Sequence, residues 1–456
     1  MNKRLIFTLI VVSVLNLTIL SPINAAEKSG SPCKKVGLTS SFSGKNYVCI
    51  KSGSKTVWRI DTKIISSRNT TSSNKNPEVS NEALFSPISD CKLQKPNTLP
   101  MDDGPMGSIG FPKESNAIPS LGNQKSLLLF IEFPDVLATN NLKKIWESSS
   151  VPNAENLFYF SSYGKLKLKV EFSEKIYRLD KQSSYYNLTS LPSGGPDLRN
   201  GQPKLDEVIS DAMTAADPDV DYSQYAFVTV ATPSSSSLTL GGATGLGPNP
   251  KQFDGVTYTK ASFQPLSELT PTEKRYKTYN FTHDIGHMMG LMHPYVDEGP
   301  GHGAWDIMWN FAFQNDFLGW NKWKLNWLSD AQVDCISEGK RNITQYLTPI
   351  GIASNTKKMI VIKLNESSAL VIESRRKTIF ENLKTSDEGI IVYKIDTTKA
   401  QGFGPVSIIS NQTKIIDSQN FACVLGTMGA GEFTTTDGYT IKVLKRDTGG
   451  DYVLIS

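Results

Sequence analysis

Apolar positions recur with two periods along this chain, and the change of period marks its organisation. The run SLLLFIEFPDV (126–136) is apolar almost throughout and halted at Pro134, which predicts a buried strand. KLKLKVEF (165–172) instead alternates Leu166, Leu168, Val170 and Phe172 with charged neighbours, predicting a strand with one wet face. Between Lys204 and Ala216 the residues Leu205, Val208, Ile209, Ala212 and Ala216 fall at helical spacing, and Asp217-Pro218 stops the run. YAFVTVAT (225–232) supplies a further strand. Strands and helices in this order, continuing into a histidine-bearing helix, predict a mixed α/β domain.

From about residue 345 the pattern shortens to MIVIKL (359–364), ALVIES (369–374), GIIVYKI (389–395), YTIKVL (439–444) and DYVLIS (451–456), separated by polar turns. A C-terminal β-sandwich-like domain over 341–456 is expected. Residues 61–90 are rich in Ser, Thr and Asn with little to bury, and read as a flexible linker. The expected order is a signal peptide (1–25), a small disulfide-stapled module (26–60), this linker, the α/β domain with the histidine-bearing helix (91–340) and the β domain.

The first segment is an address. Lys3 and Arg4 form a positive n-region, Leu5 to Leu20 an apolar stretch, and Ile23-Asn24-Ala25 a small-residue cleavage site, so secretion is expected, with an uncleaved anchor as the alternative. After signal cleavage no stable membrane insertion is expected. Five cysteines suit an oxidising compartment. Cys33 and Cys49 are expected to bridge the small module. Among Cys91, Cys335 and Cys423 at most one intrachain pair can form; Cys335 with Cys423 is the expectation, leaving Cys91 odd. A net charge of +4 over 456 residues offers no continuous basic surface, which argues against a nucleic-acid partner.

Candidate chemistry is concentrated in FTHDIGHMMGLMHPY (281–295), which holds three of the four histidines, with His302 just beyond. His283 and His287 are four apart, so a helix stacks them on one face with Cβ atoms about 6 Å apart. Phe281, Ile285, Met288 and Met292 form an apolar stripe that seals the opposite side against the core. A turn at Gly290 brings His293 back as a third ligand. Three protein ligands without cysteine is the donor set of a catalytic zinc ion rather than a structural one. An adjacent carboxylate can then take a proton from the attacking water.

The stretch from His283 to His293 resembles the metzincin signature H-E-x-x-H-x-x-G-x-x-H, with GAWDIMWN (303–310) supplying a methionine turn at Met308. FLGWNKWKLNWLSDAQV (317–333) makes the chain similar to the secreted immune inhibitor A type of metallopeptidase. LLLFIEFPDV, SSYGKLKLKVEF, ADPDVDYSQYAFVTV, LVIESRR and GIIVYKID extend that likeness from about residue 120 to the C-terminus. The resemblance implies an α/β (α+β) metzincin-like catalytic domain followed by an all-β domain. It also implies Zn2+ held by His283, His287 and His293, a catalytic carboxylate at Asp284, Met308 beneath the metal, and protein or peptide substrates.

Two residues depart from the pattern. Asn326 stands where the family has Gly, a local packing change. Asp284 stands where the general base is Glu, and its carboxylate is drawn back from the water by more than about 1 Å, a misplacement that costs about a hundredfold in rate. Three outcomes stay open: a slow peptidase with Asp284 as base, assistance from Asp297 or Glu298, or a zinc-bearing binding or scaffold protein without activity. The first is the expectation. His302, on a Gly-rich loop, is either an oxyanion donor or a histidine bonded to backbone, and Tyr295 is a weaker candidate. His283 is the first histidine in the chain, which excludes the His-Asp phosphohydrolases because they need an upstream ligand. GGATGLG (241–247) lacks the Lys-Ser/Thr of a phosphate loop and reads as surface loop or cleft wall. Residues 26–120 are open as a pro-segment, with Cys91 a conceivable thiolate for the metal before processing. Neither substrate nor oligomeric state is legible in the chain.

Overall fold

The computed structural model describes residues 36, 39–42, 45–52, 55–60, 76–96, 107–139, 141–191, 196–246, 250–266, 271–294, 305–309, 315–381, 383, 388–409 and 432–456. Two compact units, 1–75 and 76–456, are described each by itself. Among the described residues no helix is long and apolar enough to cross a membrane. The proposed signal peptide lies outside them.

In the first unit β1 (Thr39–Phe42), β2 (Lys45–Ser52) and β3 (Lys55–Ile60) form an antiparallel sheet in that order. Cys49, opposite Trp58, is buried and disulfide-bonded. Its expected partner, Cys33, lies outside the described residues.

The second unit begins with β4 (Gly122–Glu132), which ends just before Pro134 as its apolar run requires. A continuous helix follows, α1 (Leu142–Ile145) and α2 (Val151–Ser161) joined by a π-helical turn at Trp146–Ser150. Three consecutive serines, poor helix formers, hide this helix from a reading of periodicity. Next come β5 (Leu166–Phe172), β6 (Tyr177–Arg178), α3 (Leu205–Ala216) and β7 (Phe227–Thr232). Then β8 (Gly242–Gly245), β9 (Lys251–Phe253), β10 (Val256–Tyr258), β11 (Lys260–Pro265) and α4 (Pro271–Met288) lead to the site.

The main sheet runs β5-β4-β7-β11-β8, parallel except that β8 lies antiparallel to β11. Period-2 alternation sends Leu128 and Phe130 of β4 into one core with α2 and α4, and Leu127, Leu129 and Ile131 into a second with α3. Helices therefore cover both faces, as expected for parallel strands. GGATGLG supplies β8, a strand rather than a surface loop, and α4 packs against it.

Beyond the site lie α5 (Gly319–Lys324), β12 (Val333–Ile336), β13 (Ile343–Leu347), β14 (Met359–Lys363), β15 (Ser368–Arg375), β16 (Gly389–Asp396), β17 (Val406–Ile409), β18 (Glu432–Thr434), β19 (Thr440–Asp447) and β20 (Gly450–Ile455). They form a five-stranded sheet, β12-β14-β15-β16-β17, and a four-stranded sheet, β13-β20-β19-β18. The two share a core that includes Leu370, Ile372, Val392 and Val453. The other face of the larger sheet is also covered: Val371, Ile391 and Tyr393 join Trp305, Trp320 and Trp323 in a further core. The expected boundary at 340/341 thus falls inside one compact unit.

Residues 76–90, read as linker, run along the edges of both these sheets, with Ser80 N–H donating to Thr344 O and Ser86 N–H to Cys335 O, both at 2.8 Å. This places Cys91 beside β12, where it is bonded to Cys335. The expected Cys335–Cys423 pair is thereby corrected, and Cys91 is neither odd nor a thiolate for a metal. A partner 244 residues away has no local signature. Cys423 lies outside the described residues.

Candidate metal centre

The end of α4 and the turn after it bring His283, His287 and His293 together. Their Nε2 atoms stand 2.9 Å apart for 283–293, 2.9 Å for 283–287 and 3.0 Å for 287–293. His283 Nδ1 lies 2.9 Å from Ile307 O and His287 Nδ1 2.8 Å from Leu291 O. A carbonyl oxygen only accepts, so both Nδ1 atoms carry the proton and both Nε2 atoms present a bare lone pair. The 283–287 contact therefore has no proton to share. A cation between the rings turns this repulsion into ligation, and the triangle is within a few tenths of an ångström of the ~3.3 Å spacing of three nitrogens about 2.0–2.1 Å from a tetrahedral zinc. The donor set fits the metal, and the Nδ1 bonds supply the outer support that ligating histidines use.

Burial keeps these rings neutral, the ligating form. His283 is pushed down to about 4 by desolvation. His287 is held well below its ordinary range by desolvation and then by His293 and His283, and His293 by desolvation and His283.

Local backbone chemistry explains how the triangle is held. Gly290, at φ +89°, adopts the left-handed conformation that ends the helix and returns the chain toward His293. Gly286 has a different reason: a Cβ there would stand 2.4 Å from Met308 Sδ, so the glycine is the notch in which the methionine sits. Met308 thus packs against the helix at Gly286, the residue that precedes His287 and lies between the two helical histidines in sequence. Its turn is organised by Asp306, whose carboxylate accepts from Met308 N–H and Leu318 N–H at 2.7 Å and from Asn321 Nδ2 at 2.8 Å. Burial raises Asp306 to about 6 against these bonds.

Phe281, Ile285 and Met288 do face the main core as the stripe predicts, but Met292 lies past the helix end and packs with Trp305 and Trp320. Asn326 has φ +62°, the left-handed region where asparagine is among the tolerated substitutes for glycine.

Residues 107–120, left open as part of a pro-segment, are built into the base of the site. Ile118 N–H donates to Met288 O at 2.9 Å. Lys324 donates to Gly290 O at 3.1 Å and to Ser108 O, with Glu114 3.7 Å away. Burial lowers Lys324 to about 8.

Asp284 is buried, and its Oδ2 accepts from Gln264 Nε2 on β11; Gln264 Oε1 in turn accepts from Asn280 Nδ2 at 3.0 Å. Sequence reading misses Gln264 and Asn280. The available signal is KASFQP, where Lys260, Ser262 and Gln264 alternate with Ala261 and Phe263: a polar face on an interior strand. His302, Asp297, Glu298 and Tyr295 lie outside the described residues.

No family model matches the chain, and no curated protein does. Among solved structures it is similar to archaemetzincin from Methanopyrus kandleri, at 15% identity, over 46% of this chain and 88% of that one, with a TM-score of 0.21. The likeness to the immune inhibitor A type rests on the motifs quoted above.

Proposed function

We propose that the protein is a secreted zinc-dependent metalloendopeptidase with Asp284 as general base. The observation that carries this reading is the triangle of buried Nε2 atoms, two of them bared by Nδ1–H bonds to carbonyls. The His-Asp-x-x-His-x-x-Gly-x-x-His spacing and the methionine seated under Gly286 support it.

His283, His287 and His293 would hold zinc, which when bound supplies a Lewis acid that acidifies water and polarises the scissile carbonyl. Asp284 takes the proton of the attacking water and passes it to the leaving amine. His302 is assigned as a hydrogen-bond donor to the developing oxyanion. Met308 seats the helix at Gly286, and the carbonyls on Nδ1 hold the His283 and His287 rings in place, so these two ligands need not reorganise.

The test is zinc content together with cleavage of casein or a quenched peptide. The purified chain is expected to carry about one zinc and to lose cleavage on chelation. Zinc without cleavage favours the rival reading, a zinc-bearing scaffold protein, and absence of zinc removes both.

A further inference from the structure

The polar side of β11 meets the polar side of α4 in a buried seam. Ala261 and Phe263 turn into the core on the far side of the sheet, which leaves Lys260, Ser262 and Gln264 toward the helix. Gln264 is 5% exposed and Asp284 3%, so their mutual bond is not in ready exchange with water. Asn280 donates to Gln264 Oε1, and this fixes the amide so that Nε2 is the atom presented to Asp284. Asn280 and Asp284 are one helical turn apart, so one glutamine from the sheet grips both.

We propose that Gln264 is the positioning residue for Asp284: its long arm takes up the length that aspartate lacks and sets where the carboxylate stands on the helix that carries His283 and His287. This rests on the reading of Asp284 as the base. Across the seam the two backbones are spanned by the two-carbon arm of Gln264 and the one-carbon arm of Asp284. Asp284→Glu alone adds a methylene to a filled, buried contact and forces one partner from its rotamer. It is not the simple repair that the H-E-x-x-H pattern suggests. Gln264→Asn alone opens the contact and removes a buried hydrogen bond. The double substitution moves one methylene across the seam and conserves both length and hydrogen bond.

The experiment compares the full-length chain with these two single variants and the double variant. Thermal midpoint is measured in chelator, zinc content after reloading, and kcat and KM on a quenched peptide. Both single variants are expected to lose midpoint and roughly tenfold or more in kcat, with zinc content and KM kept. The double variant is expected to recover most of both losses. Additive midpoints, or a Gln264→Asn variant with unchanged kcat, would overturn the proposal. Non-additive midpoints with no cleavage by any of the four proteins would uphold the pairing and overturn the peptidase reading instead. Should Gln264→Asn fail to fold, Gln264→Met keeps the length without the amide; it is expected to keep zinc and lose kcat, and undiminished kcat there overturns the proposal equally.

Discussion

Two of the buried polar clusters in this unit are compensated in opposite ways. Around Arg375 the charges answer each other: Lys322 pairs with Asp316 at 2.5 Å, Arg375 with Glu373 at 2.8 Å and with Glu381. Arg375 also donates to Trp305 O and Phe317 O, tying β15 to the residues flanking the methionine turn. Burial raises Glu381 to about 7, opposed by Arg375, while Glu381 and Glu373 outweigh desolvation and hold Arg375 above its ordinary value. The histidine cluster, by contrast, turns lone pairs toward one another. The first cluster carries its own counter-charges, as a structural device does; the second gathers nitrogen donors of the kind that can hold a cation.

The largest expected break of this contrast is Arg375→Met. It strands Glu373 and Glu381 in the interior, at a cost of about 3–5 kcal/mol, whether or not zinc is present. Chemical denaturation with and without chelator checks it, and equal losses in both conditions are expected.

His287→Ala acts the other way. In wild type, free zinc at a thousand times its Kd is expected to add about 4 kcal/mol to stability, and chelation to remove it. The variant is expected to show almost none of this difference, read as the shift of thermal midpoint on chelation.

Gly286→Ala brings a methyl group against Met308 and is expected to cost about 1–3 kcal/mol, since neither the helix nor the methionine turn can yield easily. Its zinc affinity is expected to fall as well, because the same helix carries His283 and His287. Competition with a chromophoric chelator measures that.

Lys324 lies between the two regimes, a buried cation with one carboxylate 3.7 Å away. Its folded value, about 8, is below the ordinary 10.5, so between those pH values the unfolded chain holds the extra proton. Stability from this residue therefore rises with pH across that window, by on the order of 1–3 kcal/mol. Lys324→Met is expected to flatten the rise in urea midpoints measured from pH 8 to pH 10.

Legibility follows the same division. Strands β4, β5, β7 and β14–β16, and helix α3, announce themselves through short-range periodicity, and the histidine spacing does so through one helical turn. The Cys91–Cys335 bond and the bonds from Arg375 to Trp305 O and Phe317 O join residues distant in the chain, and the Gln264–Asp284 contact joins a strand to a helix 20 residues on, so none of them leaves a short-range period. The path of 76–90 shows the limit of composition: its Ser80 and Ser86 side chains and backbone find partners along sheet edges, so little apolar burial is needed to order it. Asn326 is the intermediate case, a departure from a motif that becomes intelligible once its backbone angle is known.

The most direct measurement is an equilibrium zinc titration of the metal-free chain beside its His287→Ala variant. One equivalent bound tightly by the wild type, and none by the variant, is the predicted result. Absence of binding in the wild type, or equally tight binding in both, would contradict the claim that the histidine triangle is a cation site.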